Sequence, residues 1–231
     1  MFPIKDTIRS RTFPMVTWFL IISNALVFVF ELSQSPSQLE AFIDRFGLIP
    51  AYVQAFNPLT WYPFLTHMFI HGGWLHIISN LWILFIFGDN VEDRLGSMRF
   101  LLFYLLGGVA AGLLQNYVSQ NANLPSIGAS GAIAAVLGAY ILFYPRARVI
   151  TLIPIFFIPW FIEIPAVIFL GIWFVTQIYS GVLALAGTTG DFGGVAWWAH
   201  VGGFLFGLIL ARLFAVGRRP QRWYPDEYYP Y

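Results

Sequence analysis

Six stretches of the chain are apolar for long enough to cross a lipid bilayer, and no other feature constrains the fold as strongly. They cover residues 15–32, 69–88, 100–118, 126–144, 165–185 and 195–216, each near the ~20 residues that about 30 Å of hydrocarbon requires. Composition points the same way. Charged residues make up 10% of the 231 and hydrophobic ones 58%, against roughly 25% charged in soluble domains. Asp, Glu, Lys and Arg are too few to cover a water-facing surface, so the solvent must be lipid. The first stretch is too long for a cleaved signal peptide, and no small-residue cleavage site follows it. Cysteine is absent, which excludes disulfides, zinc ribbons and thiol catalysis. A net charge of +1 argues against nucleic acid as a partner.

Neither a repeat nor a linker divides the sequence. The expected organisation is an all-α, polytopic membrane domain of six transmembrane helices over 15–216. It lies between a cytoplasmic segment, 1–14, and a cytoplasmic tail, 217–231. Orientation follows the positive charges. With the N-terminus inside, Lys5, Arg9, Arg11, Arg94, Arg99, Arg146, Arg148, Arg212, Arg218, Arg219 and Arg222 are all cytoplasmic, and Arg45 alone is outside. The first outer loop, from Ser33 to about Met68, is too apolar for water and too broken by Pro50, Pro58 and Pro63 to span. Interfacial helices suit it, as greasy anchors without chemistry. The run from Pro154 to Trp160 reads as a similar half-immersed segment on the inner side.

Polar groups inside spans are costly and mark functional sites by default. The second span holds His76 and Asn80, four apart and so on one helix face. The fourth opens Gly128-Ala129-Ser130-Gly131, and the sixth carries Ala199-His200-Val201-Gly202-Gly203. Counted from the inner helix ends at ~1.5 Å per residue, Ser130 lies about 21 Å up, His200 about 22 Å and His76 about 18 Å. The three helices therefore bring polar groups to one level.

A serine hydroxyl becomes nucleophilic when an imidazole takes its proton, and Ser130 with His200 can form that pair across two helices. No carboxylate shares their depth: Glu31 sits at the wrong end of its span and Glu163 lies toward the cytoplasm. A Ser–His dyad is expected rather than a triad. The unpaired backbone N–H of Ser130 at a helix start, the Asn80 amide and the His76 ring are candidate oxyanion donors. Gly128 permits close backbone approach there, and Gly131 close approach of a neighbouring helix. The Ala199, Gly203, Gly207 spacing gives the sixth span a smooth face for the fourth. Each element alone has a plain structural reading, in helix packing or an interhelical hydrogen bond. His67 and His71 are too few for a membrane di-iron site, so neither a metal nor a cofactor is expected. His67 is read as off the site. Trp197 and Trp198 read as interfacial anchors.

The ordered set His71-x4-His76-x3-Asn80, Gly128-Ala129-Ser130-Gly131 and Ala199-His200-x2-Gly203-x3-Gly207 resembles the rhomboid family of intramembrane serine proteases, and the resemblance covers nearly the whole chain. It implies a six-helix core that cleaves single-span transmembrane proteins near the outer face of the cell membrane. Position by position, it implies Ser130 as nucleophile and His200 as general base, with His76, Asn80 and the Ser130 N–H as the oxyanion hole. It also places His71 near a water-filled cavity. The segment from Gly88 to Asp93 is typical of prokaryotic members.

Two positions depart from the pattern. Trp61-Tyr62 stands where many members carry Trp-Arg, which puts the bracing contacts of the first loop in question. Ala134 stands where an aromatic ring often packs on the catalytic imidazole. The competing reading is a catalytically inactive rhomboid-like protein that binds transmembrane helices. Such proteins typically lose the serine or the histidine, and both are present. A transporter would show broken helices in corresponding halves, and no such symmetry is visible.

Overall fold

The computed structural model describes residues 2–119, 123–155, 158–186 and 195–217. Among these, eight α-helices and one small sheet make up the fold: β1 (Phe2–Asp6), α1 (Met15–Leu32), α2 (Pro36–Phe46), α3 (Pro63–Thr66), α4 (Trp74–Leu95), α5 (Ser97–Val118), α6 (Ser130–Phe143), β2 (Arg148–Ile155), β3 (Ile158–Pro165), α7 (Ala166–Leu185) and α8 (Trp197–Phe214). Five helices, α1, α4, α5, α7 and α8, are long and apolar enough to cross a membrane. Their outward faces carry residues such as Leu26, Ile172, Val175 and Leu213, all more than 60% exposed. Lipid is the solvent that makes such a surface stable, and the protein is a multi-pass membrane protein.

The sixth helix is the exception. α6 has 14 residues, about 21 Å at the usual rise, and begins at Ser130 rather than at 126. It is also the centre of the bundle: every residue from Gly131 to Tyr140 is buried, with α4, α5 and α8 packed around it. Contact with α8 is backbone to backbone. A Cβ at Gly203 would lie 2.0 Å from the Gly131 carbonyl oxygen, and one at Gly207 1.9 Å from that of Ala135. α7 stands at the periphery against α8, with Ala166, Leu170, Gln177 and Gly181 as its buried residues.

Two boundaries differ from the sequence reading. α4 begins at Trp74 and runs on to Leu95, so His76 lies about 28 Å from its inner end rather than 18 Å. Counting along single helices misjudges depth when their lengths differ. The run near Pro154 is β-structure: β2 pairs antiparallel with β1 and with β3. Along β2 burial alternates as on a sheet with one covered face, Val149 and Thr151 being buried and their neighbours less so. Residues 156 and 157 of that segment, and the tail from 218, lie outside the described residues. The first loop does carry helices, α2 and α3, and α2 buries no residue.

Two polar knots hold the sheet side of the bundle. Glu92, 1% exposed, accepts from the Val16 and Thr17 N–H groups (3.0 and 2.8 Å), Thr17 Oγ1 (2.9 Å) and Ser97 Oγ (2.6 Å). It caps α1 from a distance, since Pro14 at the N-cap position offers no side-chain acceptor. Arg99 closes the far end of α8 by donating to the Phe214 and Val216 carbonyls at 3.2 and 2.7 Å. In the second knot the Asp6 carboxylate accepts from Tyr140 Oη and from Asn90 Nδ2, tying β1 to α6 and α4. Burial pushes the Asp6 carboxyl well above its usual range; the Tyr140 hydrogen bond opposes this and the Asp89 charge adds to it.

Glu92→Ala leaves the buried Thr17 N–H unpaired, at about 1–3 kcal/mol, and the half-buried Val16 N–H with it. Thermal melting in detergent should show a fall of several degrees, smaller for Glu92→Gln, which keeps an acceptor; equal melting of wild type and Glu92→Ala would refute the capping role. Asp6 supplies a pH effect. The unfolded chain ionises it near pH 3.9 and the fold resists ionisation. Its stabilisation is therefore complete below about pH 4 and lost as pH rises through the native value. Asp6→Asn should melt above wild type at pH 8, with the gap closing toward pH 4; a gap that widens on acidification contradicts the assignment.

Candidate active site

Residues 126–129 cross the interior without forming a helix, so their backbone groups need partners from elsewhere. The first loop provides them. Leu48 and Ser126 exchange two backbone hydrogen bonds, 3.1 and 2.8 Å, and the Gly128 N–H donates to the His67 carbonyl at 2.9 Å. His67 is 4% exposed, with Nδ1 2.7 Å from the Pro63 carbonyl. Its main chain thus supports this segment, while its side chain is turned to Pro63. The loop itself is braced without the missing arginine. Trp61 Nε1 donates to the Gln54 carbonyl (3.0 Å), Tyr62 Oη to that of Arg45 (2.5 Å) and Thr66 Oγ1 to that of Phe46 (2.6 Å). A loop read as inert anchoring therefore clamps the approach to Ser130.

Gly128 has φ +114°, a region that favours glycine. A Cβ there would come 2.6 Å from His76 Nε2 and 3.6 Å from Asn80 Nδ2. The chain then enters α6. Ile133 is the first to bond back, to Ala129, so the N–H groups of Ser130, Gly131 and Ala132 have no acceptor in their own helix.

The close α6–α8 contact sets Ser130 Oγ 2.7 Å from His200 Nε2. The other ring nitrogen, His200 Nδ1, is 2.7 Å from Gln177 Oε1 on α7. Gln115 of α5 accepts from the Ala199 N–H at 3.2 Å and so fixes the start of α8. The imidazole also has aromatic neighbours. Trp173 lies against it with centroids 5.8 Å apart, and Trp197 meets it edge-on at 6.3 Å. Ala134 contributes no ring; it faces Gly203, where a Cβ would lie 3.3 Å from its own. The supporting ring comes from α7 instead, and Trp197, read as an interfacial anchor, also touches the imidazole.

On the α4 side, His76 Nδ1 accepts a long hydrogen bond, 3.4 Å, from the Gly72 N–H, which leaves Nε2 as the donor toward Gly128. Asn80 is 7% exposed, and its Nδ2 has no hydrogen-bond partner among the described residues. His71 packs its ring on His76 (centroids 5.1 Å), with neither ring nitrogen hydrogen-bonded among the described residues. Its backbone N–H donates to the Glu31 carboxylate, 3.2 Å from each oxygen. Glu31 therefore stands behind the site wall, closer than the sequence reading placed it, though its bonds go to backbone. Among the described residues no group of three or more His, Asp or Glu stands together as metal ligands.

Gln177 and Trp173 were missed. The signal was there: an amide inside the fifth span is as costly as the histidines singled out elsewhere, but it matches no motif.

The family model described as the Rhomboid domain matches residues 58–216. Rhomboid-like protein 11, chloroplastic, of Arabidopsis thaliana is 33% identical over 67% of this chain and 53% of its own length. Rhomboid protease GlpG of Haemophilus influenzae is 37% identical over 38% of the chain and 44% of its own. The mouse presenilin-associated rhomboid-like protein, mitochondrial, is 33% identical over 59% and 35%. The chain thus spans about half or less of these relatives. With a family match over most of its length, and a half-buried serine–histidine pair where helices and a clamped loop converge, this chain belongs to the rhomboid family.

Proposed function

We propose that the protein is an intramembrane serine endopeptidase that hydrolyses a peptide bond in the transmembrane segment of a single-span membrane protein. The observation that carries this reading is the 2.7 Å contact between Ser130 Oγ and His200 Nε2. A buried, unpartnered Asn80 Nδ2 on the opposite wall supports it. Leaving a buried donor unpaired costs about 1–3 kcal/mol, which is accounted for if the donor is kept for an oxyanion.

In this mechanism His200 Nε2 takes the Ser130 proton as Oγ attacks the scissile carbonyl. The oxyanion is held by the Ser130 N–H, Asn80 Nδ2 and His76 Nε2. His200 then protonates the leaving amine, the C–N bond breaks and an acyl-enzyme remains. Water, deprotonated by His200, attacks the ester and releases the carboxylate, and the proton returns to Ser130. Gly128 and Gly131 keep the wall beside the nucleophile thin, and His71 backs His76. The charge pattern supports a cell-membrane protein with both termini cytoplasmic and cleavage near the outer face.

Ser130→Ala and His200→Ala should each abolish cleavage of a tagged transmembrane substrate by purified protein in liposomes, and the double variant should be no worse than either. Asn80→Ala should lose on the order of 100- to 1000-fold at most, because other donors remain. Wild-type proteolysis by Ser130→Ala, folded by its melting curve and free of other proteases, would overturn the assignment. An inert wild type would favour a helix-binding protein without activity. Substrate conformation gives a separate expectation. An intact helix hides its carbonyls in hydrogen bonds, so spans with Gly or Pro beside the cut should be cleaved faster than poly-Leu spans; equal rates would contradict this.

A further inference from the structure

Gln177 sits in α7, 5% exposed, and both ends of its amide are engaged. Nε2 donates to the Trp173 carbonyl and to Thr176 Oγ1, each at 3.1 Å. Thr176 Oγ1 itself donates to the Trp173 carbonyl at 2.6 Å, so it is free to accept. The amide therefore has one consistent orientation. Flipped, its oxygen would face the Trp173 carbonyl, acceptor against acceptor. With Oε1 turned to His200 Nδ1 at 2.7 Å, the ring proton must sit on Nδ1, because an amide oxygen only accepts. Nε2 is then left with its lone pair toward Ser130 Oγ, 2.7 Å away.

We propose that Gln177 is a positioning residue of this site, an amide that holds His200 as the Nδ1–H tautomer and aims Nε2 at Ser130. The inference rests on the serine-protease reading of that pair. Trp173, one turn earlier on α7, lies against the ring with planes tilted by 36°, so a single helix carries both the hydrogen-bond partner and the aromatic neighbour of the imidazole. A neutral amide differs from the carboxylate of a Ser-His-Asp arrangement. It orients the ring without placing a counter-charge beside the imidazolium, and so accounts for tautomer and geometry alone. The ring's own surroundings are consistent with this: His76 on α4 is the titratable ring that acts on it, and its hydrogen-bonded and aromatic neighbours, Gln177, Ser130, Trp173 and Trp197, are all uncharged.

The test compares Gln177→Leu and Gln177→Glu with wild type in liposomes, measuring kcat and KM on a transmembrane substrate, Ser130 labelling by a fluorophosphonate, and melting. Gln177→Leu keeps the volume and removes the acceptor. It should lower kcat and labelling by on the order of 100-fold, the low end of what a positioned general base contributes, with KM within about twofold. Gln177→Glu offers an acceptor oxygen in either protonation state and should recover most of that loss. In protein labelled with 15N at histidine, the His200 signals (assigned with His200→Ala) should report the Nδ1–H tautomer in wild type and Gln177→Glu. In Gln177→Leu they should report a mixture. Full kcat in Gln177→Leu, or an unchanged tautomer, overturns the proposal. Should Gln177→Leu unfold, Gln177→Glu decides it: retained kcat and tautomer support the role, and their loss in a folded protein overturns it. Failure of the underlying reading is distinct, since wild type itself would then not label at Ser130, or Ser130→Ala would still cleave.

Discussion

Backbone groups at membrane depth have no water to bond, and the structure around Ser130 follows from that constraint. A regular helix satisfies it alone; a helix that starts inside the bundle does not. α6 starts there, so residues 126–129 borrow acceptors and donors from Leu48 and His67 of the first loop. That loop is in turn pinned by Trp61, Tyr62 and Thr66. The same interior start leaves free N–H groups beside the serine, which a helix spanning the full bilayer would have placed at its surface. The short central helix and the ordered outer loop are two consequences of one polar requirement.

Close packing does the rest. Glycines and alanines bring α6 and α8 to backbone contact, and only at that separation does a serine on one reach a histidine on the other. An aromatic ring at position 134 would stand where α8 passes beside Gly203. Support for the imidazole accordingly comes from α7, through Trp173 and Gln177. α7 is the peripheral helix of this group, with few buried residues. The geometry of the Ser130–His200 pair therefore depends on a helix with a largely lipid-facing surface.

Much of this was legible in the chain order. Apart from α4, long apolar runs gave the helices within a few residues, because hydrocarbon thickness sets their length. The three polar motifs stood out because polar groups in lipid are too costly to be scattered. The sheet was less legible: β2 and β3 are apolar and proline-bearing, and such short runs read equally well as interfacial segments. Depth estimates for α4 were off because its inner end continues past Gly88 into a polar stretch, Asp89 to Arg94, that hydropathy treats as a boundary.

By itself the sequence determined the solvent, the order of the apolar segments, and the residue types that line the interior. These follow from transfer energies and from periodicity, which are local properties. Tertiary structure alone decided that Glu92 caps α1, that His67 supports Gly128, and that Gln177 rather than a carboxylate faces His200 Nδ1. Each joins residues between 23 and 76 apart along the chain, and a hydrogen bond depends on ångström-scale distance and direction. Helix packing sets those quantities, and no single segment of sequence contains them.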